Sequence, residues 1–325
     1  MNIVYPPTVR YNFLYQRPQQ LMNALAYSSC IDTVTFYDAH NNFKPYLTET
    51  ELLVVPYAHP APETDYLWIS YPPMAMREII RFKPKKIVFD IIDSPTGEFE
   101  SWQDNWDELL SMADYVFASC EELRELALSK RPGIEVHLLP NGADYPHFAP
   151  LHEVLVPGVI TRPVVGFVGA IASWLDWELI NKVVEDNPSY DFKFVGPIYN
   201  ECGTEKFSSY RNTTITGHVD YPDLPSYMKD MDVLIIPFDA KNPVSQTTNP
   251  IKMYEYAATG KPIVATPIPE AVKSGVCAIA ANAEEFSKCL KEAIMDPYTG
   301  SCNRIKFAFN NSWDARASFV RTILR

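Results

Sequence analysis

Val233-Leu234-Ile235-Ile236-Pro237 is a short apolar run, residues 250–259 have helical character, and Pro262-Ile263-Val264-Ala265-Thr266 is a second short apolar run. Apolar runs of this length, separated by a helix, pair in parallel with the helix as the crossover. The same alternation extends outward in both directions. Upstream, strands are predicted at residues 164–168, 192–195 and 213–216, with helices at 177–187 and 224–231. Downstream come helices at 283–295 and 313–324. The first half repeats the theme, with strands at 2–5, 33–37, 52–55, 66–70, 86–92, 115–118 and 136–139 and helices at 19–27, 74–82, 102–112 and 121–128. Between the halves, residues 149–163 carry Pro150, Pro157, Gly158 and Pro163 and no periodicity, which reads as a linker. The pattern predicts an α/β protein of two Rossmann-like domains facing a cleft. Their limits are 1–150, a linker at 151–163, a second domain at 164–311 and a closing helix at 312–325. In open sheets of this kind ligands lie at the carboxyl ends of the strands.

The bulk numbers suit this reading. The chain has 325 residues, 47% hydrophobic and 21% charged, with a net charge of -12. That is a globular composition long enough for two cores, and it lacks the basic balance of a nucleic-acid binder. One local basic cluster stands out: Arg77, Arg81, Lys83, Lys85 and Lys86. It is either a solvated helix end or a contact for anionic lipid or phosphate. The cysteines, at 30, 120, 202, 277, 289 and 302, form no metal-binding spacing and sit in apolar or helical contexts, as buried thiols in a reducing compartment do. Met1 to Pro7 has neither a basic start nor a long apolar run, and no stretch is long enough to span a bilayer, so a cytoplasmic location is expected.

Lys252 and Glu255 lie three apart on the predicted helix at 250–259 and so share a face. Ser245-Gln246-Thr247-Thr248-Asn249 precedes that helix, and Pro250 falls where its first turn would begin. Free backbone N–H groups at such a start, with a lysine one turn in, suit a diphosphate. A carboxylate a turn further on suits a ribose diol. The same spacing also describes an ordinary helix with a solvated Lys and Glu. Asp230-Met231-Asp232 spells the D-x-D of metal-dependent transferases, but it falls where a helix meets a strand start, away from the strand ends that bind ligand, and reads as structural.

Several segments, in order, resemble the GT-B glycosyltransferases of family 4, in the bacterial surface-polysaccharide branch that includes teichuronic-acid-type enzymes. They are Tyr15-Gln16-Arg17-Pro18-Gln19-Gln20, Phe89-Asp90-Ile91-Ile92-Asp93, Leu139-Pro140-Asn141-Gly142-Ala143-Asp144, Gly166-Phe167-Val168-Gly169-Ala170 with Trp174 and Asp176, Gly217-His218-Val219, Met231 to Phe238, and Asn249 to Thr266. Trp313 and Arg316 fit the branch's closing helix, which implies that this helix packs back on the N-terminal domain.

The resemblance implies a retaining, metal-independent transfer of sugar from a nucleotide-sugar to a glycan or lipid-linked acceptor in surface-polysaccharide synthesis. The nucleotide-sugar is a co-substrate, and no other cofactor is implied. Glu255 would hold the ribose. Gly169 would admit the phosphates. Gly217 and Val219 would meet the base. Ser245, Gln246, Thr247, Thr248, Asn249 and Lys252 would surround the diphosphate and sugar. Tyr15, Gln16 and Arg17 would face the acceptor. Lys252 and Asp93 are the expected catalytic residues, with Asp93 alternatively a turn or N-cap residue before Ser94-Pro95. A peripheral contact with the inner face of the membrane is a further expectation. The chain departs from the pattern in three places. Thr247 stands where many members have the first Glu of E-x7-E, Pro6-Pro7-Thr8 replaces a Gly-Gly loop, and Ile92 replaces a His. A non-catalytic partner of another transferase, or a nucleotide-sugar epimerase, are the alternatives. A dinucleotide oxidoreductase is disfavoured, because no G-x-G-x-x-G follows the first strand.

Overall fold

The computed structural model describes residues 1–27, 31–154, 162–199 and 203–324. The chain forms two compact units: Met1–Gly142 with Thr247–Asn249 and Trp313–Arg325, and Ala143–Gln246 with Pro250–Ser312.

The first unit is built on eight strands: β1 (Asn2–Tyr5), β2 (Thr33–Asp38), β3 (Tyr46–Leu47), β4 (Leu53–Pro56), β5 (Tyr66–Ile69), β6 (Lys86–Ile91), β7 (Tyr115–Ala118) and β8 (Val136–Leu138). Their order is β3-β4-β2-β1-β5-β6-β7-β8. All neighbouring pairs are parallel except β3 with β4, a short antiparallel edge. β5 is buried along its whole length, as a strand covered by helices on both faces must be. Trp68 on β5 stacks on Phe117 of β7, with ring centroids 5.3 Å apart. Phe89 of β6 meets Trp106 of the helix Gln103–Met112 edge-on at 5.5 Å. The closing helix Trp313–Ile323 packs on the helix Arg17–Ala26 within this unit.

The second unit holds β9 (Val164–Val168), β10 (Asp191–Val195), β11 (Thr213–Ile215), β12 (Val233–Ile236), β13 (Ile263–Ala265) and β14 (Ala278–Ile279). All pairs are parallel, in the order β11-β10-β9-β12-β13-β14. Numbered from β9, this is the 3-2-1-4-5-6 order of a dinucleotide-type Rossmann sheet, whose direction of winding reverses between β9 and β12.

The division differs from the expected one at residues 143–150 and 247–249. The first unit ends at Gly142 rather than at 150. Beyond it, Phe148 and Leu151 are buried in the second core. The Ala143 N–H donates to Asn311 O at 2.9 Å, and His152 bonds the Ala258 carbonyl. Residues 247–249 belong to the first unit rather than the second, because they are hydrogen-bonded into it. Asn141 N donates to Asn249 Oδ1 at 2.8 Å and Asn141 Nδ2 to Asn249 O at 2.5 Å. The Cys120 thiol reaches Thr247 O at 3.1 Å. The expected linker at 151–163 falls largely on residues 155–161, outside the described residues. Cys30 and Cys202 also lie outside them. Of the other cysteines, Cys120 is buried and Cys277 and Cys289 are half-buried, but Cys302 is exposed on the helix Ser301–Asn310, contrary to the expectation of buried thiols.

Among the described residues, no helix is long and apolar enough to cross a membrane. The basic cluster is largely committed to neighbours. Arg77 and Arg81 pair with the buried Glu78, Lys85 pairs with Glu63 and Asp65, and Lys86 with Asp114. Arg81 also lies over the rings of Tyr37, Tyr57 and Phe82. These pairings favour the reading of the cluster as a helix end and loop over that of an open anionic-lipid contact.

Candidate functional site

The reversal of strand order in the second unit lies between β9 and β12, and the residues at their carboxyl ends form the site. β9 ends in Gly169, with φ +143°, and β10 in Gly196, with φ +148°. Both angles favour glycine. A Cβ on Gly196 would lie 2.0 Å from Gly169 O, so the two loops approach as closely as they do because residue 196 carries no side chain. Gly196 N also donates to Gly217 O at 2.9 Å, which joins the loop after β11 to the same edge. Open space lies where a Cβ on Gly217 would be. The neighbouring Val219 is half-buried.

The helix Ile251–Ala258 points its start at this edge. Pro250 is its N-cap rather than its first helical residue, no side chain caps it, and its first turn contains no acidic residue. A short helix, Pro243–Thr247, comes before it in the chain. Lys252 is the second residue of the longer helix and is half-buried. Its Nζ lies 5.3 Å from the Phe167 ring centroid and 4.8 Å from that of Phe238. A Cβ on Gly169 would come within 2.9 Å of Lys252 Cε. Glycine at 169 therefore leaves the ammonium room beneath the loop. Burial pushes the Lys252 ammonium down to about 8, and Glu255 pulls it partly back. Among the described residues no carboxylate lies within ion-pair distance of Lys252. A desolvated cation faced by two aromatic rings and by an uncapped helix start has the chemistry that suits an anion.

Glu255, three residues on, is 7% exposed. Burial pushes its carboxyl up to about 7, Lys252 opposes this, and Asp144 adds to it. The hydroxyl of Tyr221 lies 3.4 Å from Asp144 Oδ2, and Tyr221 acts to lower the Glu255 carboxyl. Asp144 and Tyr221 are neighbours of Glu255 to which the sequence alone assigns no role. Asp144 follows the Pro140-Asn141-Gly142 segment in sequence but belongs to the second unit.

The segment before the helix divides. Ser245 is buried with a hydroxyl that has no hydrogen-bond partner. Gln246 is exposed, and its side-chain amide bonds Ala240 O. Thr247, Thr248 and Asn249 group with the first unit, where the Thr247 hydroxyl meets Ser94 Oγ at 3.1 Å.

In the first unit, Asp93 follows β6, is half-buried, and has its carboxyl raised to about 6 by burial. It is no N-cap: the next helical turn, Gly97–Trp102, has Thr96 at that position. Tyr15 is half-buried, and its hydroxyl accepts from Asn23 Nδ2 at 2.6 Å. Gln16 is exposed, and its backbone N–H donates to Gln19 Oε1 at 3.1 Å at the start of a helix. Arg17 does not face an acceptor. It is 4% exposed, and its guanidinium donates twice to Asp90, at 2.8 and 2.7 Å, and once to Asn141 Oδ1 at 3.1 Å. Trp68 Nε1 donates to the same carboxylate at 3.1 Å. These bonds make Arg17 a structural bolt between the first helix, β6 and the 139–142 loop. Asp232 accepts from Val164 N at 2.8 Å, at the start of β9 and so at the end of the sheet opposite Gly169.

Residues 162–296, which hold Gly169, Lys252 and Glu255, match the family described as Glycosyl transferases group 1. The chain as a whole has the GT-B fold. It is similar to the sucrose-phosphate synthase structure from Thermosynechococcus elongatus, with TM-score 0.73 and 14% identity over 99% of this chain and 98% of that one. It is similar also to Anabaena HepE in complex with UDP-glucose, with TM-score 0.72 and 16% identity over all of both chains. Among curated proteins it is similar to TuaH of Bacillus subtilis (strain 168), provisionally described as a teichuronic acid biosynthesis glycosyltransferase, with 30% identity over 172 residues. That match covers 51% of this chain and 43% of TuaH, so the chain spans less than half the length of this relative.

Proposed function

We propose that the protein is a retaining, metal-independent glycosyltransferase that moves a sugar from a nucleotide-sugar donor to a glycan or lipid-linked acceptor in surface-polysaccharide synthesis. The observation that carries this reading is Lys252, a desolvated cation without a carboxylate partner among the described residues, set in the first turn of an uncapped helix at the strand-order reversal. The family match at residues 162–296 and the UDP-glucose bound by HepE support it.

The assignment of roles follows the chemistry. As the sugar–phosphate bond breaks, negative charge grows on the departing diphosphate. The helix start and Lys252 are preorganised for that charge, which is where electrostatic catalysis acts most strongly. Glu255 accepts hydrogen bonds from the ribose diol. Gly169 and Gly196 let backbone approach the phosphates. With the leaving group so stabilised, the acceptor hydroxyl attacks from the leaving-group side and a phosphate oxygen takes its proton. The first unit supplies the acceptor contacts, for which Tyr15, Gln16 and Asp93 are the assigned residues, and a peripheral membrane contact would bring a lipid-linked acceptor to it.

The test is transfer from UDP-glucose, and from other nucleotide-sugars, to a panel of glycosides and polyprenyl-linked saccharides, with the product's anomeric coupling read by NMR. The expected product keeps the donor's anomeric configuration, and its rate of formation is unchanged by excess EDTA. An inverted product, or loss of transfer in EDTA that divalent metal restores, contradicts the mechanism.

A further inference from the structure

In the first sheet the direction of winding reverses between β1 and β5, so the carboxyl ends of β1, β5 and β6 form its ligand edge. That edge carries an aromatic cluster. Tyr71 follows β5, and Phe99 and Trp102 lie on the turn Gly97–Trp102 after β6. Trp102 meets Tyr71 edge-on, with centroids 5.1 Å apart and planes at 88°, and lies 4.4 Å from Phe99 at 38°. All three rings are half-buried, none is part of the buried core, and no residue of the turn Gly97–Trp102 is buried. The cluster is nonetheless fixed in place. Ser70 Oγ, one residue before Tyr71, lies 2.6 Å from the Tyr5 hydroxyl at the end of β1. The Phe99 N–H donates to Thr96 O at 3.0 Å. The helix Gln103–Met112 packs on that turn and on the turn Pro72–Met74. Three rings held half in water on a ligand edge are apolar surface that a ligand can cover.

Polar groups belong to the same segment. Ser94 Oγ and Thr96 Oγ1 lie 2.6 Å apart, and Thr96 is exposed. From residue 92 to residue 105 the chain carries Asp93, Glu98, Glu100 and Asp104, and neither lysine nor arginine. A pyranose matches this mixture. Its C–H faces are apolar and meet the negative face of an aromatic ring, while its hydroxyls need hydrogen-bond partners around the rim. A polyprenyl chain would instead cover these polar groups without giving them partners. The charge selects among sugars: a uronate or a phosphate would meet like charge on a segment that offers no cation.

We propose that Tyr71, Phe99 and Trp102, with the hydroxyls of Ser94 and Thr96, form the platform that holds the acceptor, and that the sugar held there is uncharged. The inference deepens the transferase reading and rests on it.

The experiment is saturation-transfer NMR on the full chain with the methyl glycosides of glucose, galactose and mannose, their uronate counterparts, and farnesyl phosphate. It is run on the native protein, Trp102→Ala, Trp102→Phe and Tyr71→Ala, each with a thermal melt and with calorimetric titration of UDP, GDP, ADP and CDP. At least one neutral glycoside should receive saturation at its ring C–H protons, and its uronate counterpart should bind roughly tenfold more weakly. Trp102→Ala and Tyr71→Ala should weaken the neutral glycoside roughly tenfold, whereas Trp102→Phe, which keeps a flat ring, should lose less than about threefold. Nucleotide affinity should stay native in all three variants. A native chain that binds a nucleoside diphosphate but no neutral glycoside, or the uronate as tightly, or farnesyl phosphate in their place, overturns this inference alone. So does a folded Trp102→Ala protein that binds the glycoside as the native chain does. A native chain that binds none of the four nucleotides overturns the transferase reading and, with it, the role of the platform as an acceptor site.

Discussion

Lys252→Met is expected to lower kcat/KM for sugar transfer by about a thousandfold while the protein stays folded. The methionine side chain fills the slot between Phe167 and Phe238 with nearly the same volume, so the core beneath Gly169 is not disturbed. What is lost is the charge. In this setting it meets a diphosphate whose negative charge increases along the reaction, and removing one such preorganised group typically costs about 10²–10³ in rate. Weaker ground-state binding of the nucleotide adds to this, so KM should rise as kcat falls. Steady-state kinetics with a thermal melt of the variant checks it. A folded Lys252→Met enzyme with kcat/KM within about threefold of native would remove Lys252 from the mechanism.

Arg17→Ala is expected to destabilise the first unit by about 3–5 kcal/mol, the usual cost of leaving a buried carboxylate without its partner. Asp90 would be left in a site 2% exposed with only Trp68 Nε1 among the donors it now has from side chains. Asn141 would lose its contact too, and Asn141 also binds Asn249 and accepts from Arg316 Nε at 3.0 Å. For a unit of this size the loss corresponds to a fall in Tm of roughly 10 °C. The paired change Arg17→Met with Asp90→Leu should recover much of it, because no unpaired charge is left behind. Calorimetric unfolding of the two variants decides the matter. A native Tm for Arg17→Ala, with transfer lost, would return Arg17 to the acceptor side.

The contrast between these two residues shows what was legible in the sequence. The strands could be read because apolar runs such as Val233 to Ile236 and Ile263 to Ala265 are buried on both faces and bounded by Pro or Gly. β3 and β14, two residues each, carry too little pattern to be read. The helix Ser301–Asn310 was missed because what anchors it is a buried arginine, Arg304, clamped on Gly260 O, rather than an apolar stripe. Lys252 and Glu255 were legible because their spacing on one helix is a local fact. Arg17 was misread because its partner lies 73 residues away and nothing local announces it. Tyr221 and Asp144, 77 residues apart, meet only once the 143–148 segment is seen to fold with the second unit.

The central claim is that the second unit binds a nucleoside diphosphate through Lys252 and Glu255. Its most direct test is calorimetric titration of the native chain and of Glu255→Ala with UDP, GDP, ADP and CDP. The account predicts that at least one of these binds the native chain and that Glu255→Ala weakens that binding by about a hundredfold or more, the cost of losing a charged acceptor for two hydroxyls. Equal affinity in the native and Glu255→Ala proteins would contradict it.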